Sequence, residues 1–281
     1  MKYILRDGEV EVSGVSDFDL ERIFECGQCF RWNADEHGIY TGVAFGKFAR
    51  IHRVGSSVFI SGSIEDFESI WLDYFDLTRD YAKIRSSLQT DAFMLEAAEH
   101  GAGIRILRQD KWEALCSFII SQCNNIPRIK KIINVLCETF GYEVYNDGIS
   151  RYAFPSAETI ASLDLKDLAP LRCGYRAGYI LGAAKAIANN ELDLEGLSLL
   201  PPDVARAGLK KLHGVGDKVA DCVLLFGLNM LDTFPLDVWM KRAVAEYFGK
   251  DFDRSIFSPY SGIAQQYIFH YVRNVKKSLQ S

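Results

Sequence analysis

Long apolar runs are missing from this chain: none approaches the roughly eighteen residues a bilayer-spanning helix needs, so no membrane partner is expected. The opening stretch, "MKYILRDGEVEVSG", lacks an apolar core and meets acidic residues at once, so no signal peptide is expected either. Cysteine stands at 7 positions, an odd number without framework spacing, which suits a reducing compartment rather than a set of disulfides. Positive charge is not in excess: Lys and Arg total 32 against 37 Asp and Glu, a net charge of −5. That balance argues against a surface wrapped wholesale in nucleic acid, yet phosphate contacts need only one local basic or amide-lined face. Internal repeats and low-complexity tracts are absent as well.

What is present reads as a folded chain. At 281 residues, 48% hydrophobic and 25% charged, there is length for about two domains, each with its own core. Residues 28–61 carry β-branched and aromatic runs, "QCFRW", "IYTGVAF", "KFARIHRV" and "SVFISG", punctuated by turn residues, and these predict an antiparallel meander. From "SIEDFESIWLDYF" onward the spacing turns helical, with Ile64, Phe67, Ile70, Trp71 and Phe75 on one face. Beyond residue 90 a series of stretches with i, i+3, i+4 apolar spacing follows, and almost no convincing strand stands among them. The expected fold class is α+β: an N-terminal antiparallel β-sheet domain with flanking helices at residues 1–95, then a mostly α-helical domain at 96–281.

Two motifs invite chemistry they do not support. "CGQC" at 26–29 has redox-pair spacing, but it leads into a predicted strand rather than opening a helix, and no second Cys or His pair completes a zinc site. No metal site is expected. "GVGDK" at 214–218 has one residue between its glycines where a phosphate-cradling loop has four, and no Ser or Thr follows Lys218.

The same stretch, "LHGVGDKVADC" at 212–222, reads better as part of a helix–hairpin–helix at about 203–229. Gly214 and Gly216, on either side of Val215, allow main-chain geometry closed to other residues and let another molecule approach the backbone. A helix starting at Asp217 leaves unpaired N–H groups for a phosphate. Lys218 falls in its first turn, against the positive end of the helix dipole, a poor place for a cation unless the position is used. Further along, Asp237 follows Pro235 in "TFPLDVWMKR" and taken alone reads as a helix cap. Taken with Lys218 it completes a nucleophile and a carboxylate for one cleft. Such an amine forms Schiff bases at carbonyl-level carbon, and such a carboxylate stabilises the cation of a sugar losing its base.

At these residues the chain resembles the helix–hairpin–helix DNA glycosylase superfamily and, within it, the eukaryotic-type 8-oxoguanine DNA glycosylases. "GVGDKVADC" and "PLDV" carry the likeness, and "GQCFRW" (27–32), "NNIPRI" (124–129), "GYRAGYI" (174–180) and "GIAQQYIF" (262–269) extend it, in order, over most of the chain. The resemblance implies a bifunctional glycosylase and abasic-site lyase that flips out 8-oxoguanine opposite cytosine in double-stranded DNA. By it, Lys218 attacks C1′ of the damaged nucleotide and Asp237 stabilises the transition state. It implies a base pocket of Gly27, Cys222, Gln265 and Phe269. Phe269 would stack on the base and Gln265 would bond its Watson–Crick edge. The Gly27 carbonyl would accept from the N7 hydrogen that undamaged guanine lacks.

By the same resemblance Tyr175 is a wedge in the vacated stack, with Asn124, Arg128 and Arg176 around the orphaned cytosine. Gly214, Val215 and Gly216 hold the DNA backbone. No cofactor is required, a monovalent cation at the hairpin carbonyls is compatible, and no iron–sulfur cluster is expected because no Cys follows Cys222. A monomer is expected, cytoplasmic and nucleoid-associated if the source is prokaryotic. Two positions depart from the family: Cys123 stands where an Asn is frequent, and Trp239 where eukaryotic members carry a phosphate-contacting His. The alternatives are a glycosylase for a different oxidised or alkylated purine, and a non-catalytic helix–hairpin–helix DNA-binding protein. Lys218 and Asp237 speak against the second, while Gln265 and Phe269 favour an oxidised purine.

Overall fold

The computed structural model describes residues 1–146 and 148–278. Its first layer is a six-stranded antiparallel sheet built from β1 (Lys2–Arg6), β2 (Glu9–Ser13), β3 (Asn33–Ala34), β4 (Tyr40–Ala44), β5 (Lys47–Val54) and β6 (Ser57–Ser61), in the order β1-β2-β6-β5-β4-β3. Alternation sets the buried face: Val10 and Val12 on β2 and Val58 and Ile60 on β6 point to the core across one register, Val10 opposite Ile60 and Val12 opposite Val58. Trp32 sits at the centre, fully buried, stacked 4.5 Å from Phe24 and donating Nε1–H to the Tyr74 hydroxyl at 2.8 Å. Gly42 makes room for it, since a Cβ there would stand 2.4 Å from the indole.

The meander extends beyond the predicted strands at one end and stops short of them at the other. β1 and β2 form an additional hairpin, while "QCFRW" is not a strand. The Gln28 side chain and main-chain carbonyl tie it to distant segments instead of a ladder. The buried Gln28 donates to the carbonyls of Ile23 (2.9 Å) and Arg105 (2.8 Å), accepts from Leu107 N–H (2.9 Å), and its own carbonyl accepts from Gln109 Nε2 (2.7 Å). A second correction falls beyond residue 90, where β7 (Glu143–Asn146) and β8 (Ile149–Tyr152) make a separate two-stranded hairpin. The helix expected from residue 64 forms with a π-helical stretch, Phe67–Trp71, and still buries Phe67, Trp71 and Phe75.

The remainder is helical, around a second core in which helix Lys111–Ser121 packs on Asp217–Phe226 and on Arg176–Ala188. Arg105, 1% exposed, ties this core to the sheet side. Its guanidinium donates to the carbonyls of Ser16 (2.7 Å), Asp17 (2.8 Å) and Asp76 (2.7 Å) and lies 4.5 Å from the Tyr81 ring. Among the described residues no helix is long and apolar enough to cross a membrane.

Candidate active site

The hairpin places the lysine. Helix Pro202–Leu209 ends in a turn where Gly214, at φ +85°, reverses the chain, and any Cβ there would stand 2.2 Å from the Tyr179 ring. Only glycine fits both demands. Val215 N–H closes the turn on the Leu212 carbonyl at 3.1 Å. Helix Asp217–Phe226 starts from Gly216 with no side chain capping it, which leaves first-turn amides for an outside acceptor.

Arg206 clamps the second helix through Asp221 at 2.6 Å, and Lys210 reaches across the hairpin to Asp217 at 2.6 Å. The Lys210 ammonium holds the Asp217 carboxyl below the usual carboxylate range. So fixed, Lys218 is half-buried, its Nζ 3.4 Å from Ser121 Oγ and 5.2 Å from the centre of the Phe118 ring.

Asp237 caps helix Val238–Tyr247, its Oδ1 accepting from Met240 N–H at 2.8 Å. The capping position also turns the carboxylate towards the lysine's cavity. One cavity of about 50 Å³ is lined by Gly27, Lys218, Cys222, Asp237, Gln265 and Phe269, with Phe118 and Gln266 also in its wall. Burial pushes the Cys222 thiol up, against the opposing pull of the nearby Lys218 charge, so Cys222 is a neutral wall group. Gly27 has φ +87°, and a Cβ added to it would stand 3.9 Å from the Phe269 ring.

The residues expected at the opposite strand form a separate cluster. Tyr175 is 53% exposed, edge-on to Tyr179 with ring centres 5.4 Å apart. Arg128 is exposed and donates to the Arg172 carbonyl at 3.2 Å. Arg176, by contrast, is 4% exposed and turned inward. It donates to the carbonyls of Gln122, Cys123 and Cys173, and its guanidinium lies 4.6 Å from the Tyr175 ring. Asn124 is likewise occupied, donating to the Ile120 carbonyl at 3.1 Å. Cys123 is exposed at φ +46°. Trp239 is 42% exposed, with the Arg242 guanidinium 6.0 Å from its ring.

Sequence reasoning passed over Gln28, Ser121 and Gln266. Among the described residues no three His, Cys, Asp or Glu side chains gather as a metal site.

Residues 12–115 match the 8-oxoguanine DNA glycosylase N-terminal domain, and residues 116–255 match the HhH-GPD superfamily base excision DNA repair proteins. Fold and site thus define a helix–hairpin–helix base excision repair protein. The chain is 31% identical to the N-glycosylase/DNA lyase of Saccharomyces cerevisiae, over 81% of this chain and 67% of that one. It is also similar to MBOgg1, solved in complex with a low-affinity DNA ligand, at 43% identity and TM-score 0.94, covering 98% and 100% of the two chains. The Clostridium acetobutylicum 8-oxoguanine glycosylase/lyase, solved with double-stranded DNA containing cytosine opposite 8-oxoG, matches at 39% identity and TM-score 0.93, covering 98% and 99%. The chain belongs to the 8-oxoguanine DNA glycosylase family.

Proposed function

We propose that this protein is a bifunctional DNA glycosylase and abasic-site lyase that removes 8-oxoguanine opposite cytosine. The observation that carries the reading is the single cavity onto which Gly27, Lys218, Cys222, Asp237, Gln265 and Phe269 converge from opposite ends of the chain. The base is flipped into that cavity, where Phe269 stacks on it and Gln265 takes its Watson–Crick edge. Oxidised guanine carries a hydrogen on N7, which the Gly27 carbonyl accepts. Undamaged guanine would face that carbonyl with a lone pair.

Lys218 Nζ forms a bond to C1′ as the C1′–N9 bond breaks, and the base departs with the bonding electrons. Asp237 stabilises the positive charge that develops on the sugar. Opening of the sugar ring turns the adduct into an imine. Loss of a C2′ proton then expels the 3′ phosphate, and hydrolysis of the imine returns the lysine. Arg128 and Tyr175 serve the opposite strand, with Arg176 bracing the turn between them. Seven cysteines without framework spacing support a reducing, cytoplasmic setting.

Borohydride reduces the imine to a stable amine, so a protein–DNA adduct on an 8-oxoguanine duplex reports base, chemistry and binding together. The native chain is expected to trap. Lys218→Gln is expected to lose the adduct while keeping duplex binding, because one charge is a small part of a phosphate-dominated interface. An adduct in Lys218→Gln would move the nucleophile elsewhere, and absence of base release by the native chain would overturn the glycosylase reading.

A further inference from the structure

Two amides stand side by side in the base cavity. Gln265 and Gln266 precede Phe269 by about one turn of helix Ser261–Ser278, each is 4% exposed, and both line the cavity. Gln266 Nε2 donates to Gln265 Oε1 at 2.8 Å, which fixes how the Gln265 amide is turned and uses one of its acceptor sites. Gln266 Oε1 is buried and has no hydrogen-bond partner among the described residues. A buried acceptor left unpaired is unfavourable, and in a cavity built for a ligand the ligand can supply the missing donor.

The ligand chemistry that fits is set by the guanine edge. Oxidation at C8 leaves that edge with two neighbouring donors, N1–H and the exocyclic 2-amino group. Adenine instead presents an amino donor beside a ring acceptor. Two amide oxygens suit the first pattern and mismatch the second.

We propose that Gln266 is a second base-reading residue, its Oε1 accepting from the 2-amino group of the flipped 8-oxoguanine while Gln265 accepts from N1–H. The assignment rests on the glycosylase reading and adds to it the group by which guanine-derived lesions are told from those lacking that amine.

The test is single-turnover excision, opposite cytosine, of 8-oxoguanine and of 8-oxohypoxanthine, which is the same lesion without the 2-amino group. The native protein should remove 8-oxoguanine about tenfold faster or more, since a site built for a hydrogen bond disfavours the analogue that leaves it unpaired. Gln266→Leu, and independently Gln266→Met, should bring that ratio towards one by slowing 8-oxoguanine more than 8-oxohypoxanthine. Loss of the Gln266 bond to Gln265 slows both substrates alike and leaves the ratio untouched. Cleavage of a preformed abasic site, which holds no base, checks that each variant is folded and reactive. A native ratio near one overturns the assignment whatever the variants do, and so does an unchanged native ratio in an active variant. Failure of the native chain to excise either lesion would instead overturn the glycosylase reading.

Discussion

An asparagine at position 237 would keep the helix cap and remove the charge. Asn is as good an N-cap as Asp, so Val238–Tyr247 should start normally in Asp237→Asn. Base excision should nevertheless slow by on the order of a hundredfold, the usual scale for losing one preorganised electrostatic stabiliser. Single-turnover excision beside a thermal melt separates the roles, and near-native excision would reduce Asp237 to a cap. The sequence made this residue and Lys218 visible because helix starts have local markers. Gln28 and Arg105 carry no such marker. Their partners at 16–17, 23, 76 and 105–109 are mostly remote in sequence, and a buried polar residue looks the same as an exposed one until those partners are known.

Short elements were the least legible. Both unpredicted hairpins contain Asp-Gly, in "RDGEVEV" and "NDGIS", a dipeptide that favours the left-handed positions of a tight turn. At the first of them Asp7 has φ +50° and Gly8 φ +82°. The flanking charged residues hid that signal. "QCFRW" erred the other way, since its β-like composition reflects burial and not pairing. Two predictions belong to elements. Arg128 lies in the first turn of helix Ile126–Phe140 with its guanidinium exposed, whereas Arg176 is committed to main-chain carbonyls. Arg128→Ala should therefore flatten the preference for cytosine opposite the lesion more than it lowers activity, by about 1–3 kcal/mol of discrimination. Excision against all four opposing bases reads it, and equal rates in the native protein would end that role.

The C-terminal helix carries the other. Burial, with His100 and nearby arginines adding to it, pushes the His270 imidazole down to about 4. An unfolded histidine takes up its proton near 6.5, so between those values the unfolded chain binds more protons. His270 thus contributes stability above pH 6.5 that is lost as the pH falls towards 4. In His270→Leu the drop in Tm between about pH 7 and pH 5 should be smaller than in the native chain. An equal drop would show that this imidazole is not the group responsible.

At the scale of the molecule, Arg105 is the joint. Arg105→Met would leave the carbonyls of Ser16, Asp17 and Asp76 without their donor in a buried seam, and should cost about 3 kcal/mol or more of stability. A denaturant melt measures it, and a change under about 1 kcal/mol would mean the seam is held by other contacts. The division into a sheet part and a helical part was legible because the hydrophobic period changes along the chain. That the sheet side lends Gly27 to a site in the helical side was legible only through the family resemblance, since composition and periodicity do not show which distant residues folding brings together. The order of assembly has a further effect. A chain leaving the ribosome presents Lys218 well before residues 265–269 exist, and without them the cavity lacks Gln265, Gln266 and Phe269. Base reading therefore waits until helix Ser261–Ser278 docks against the rest of the fold.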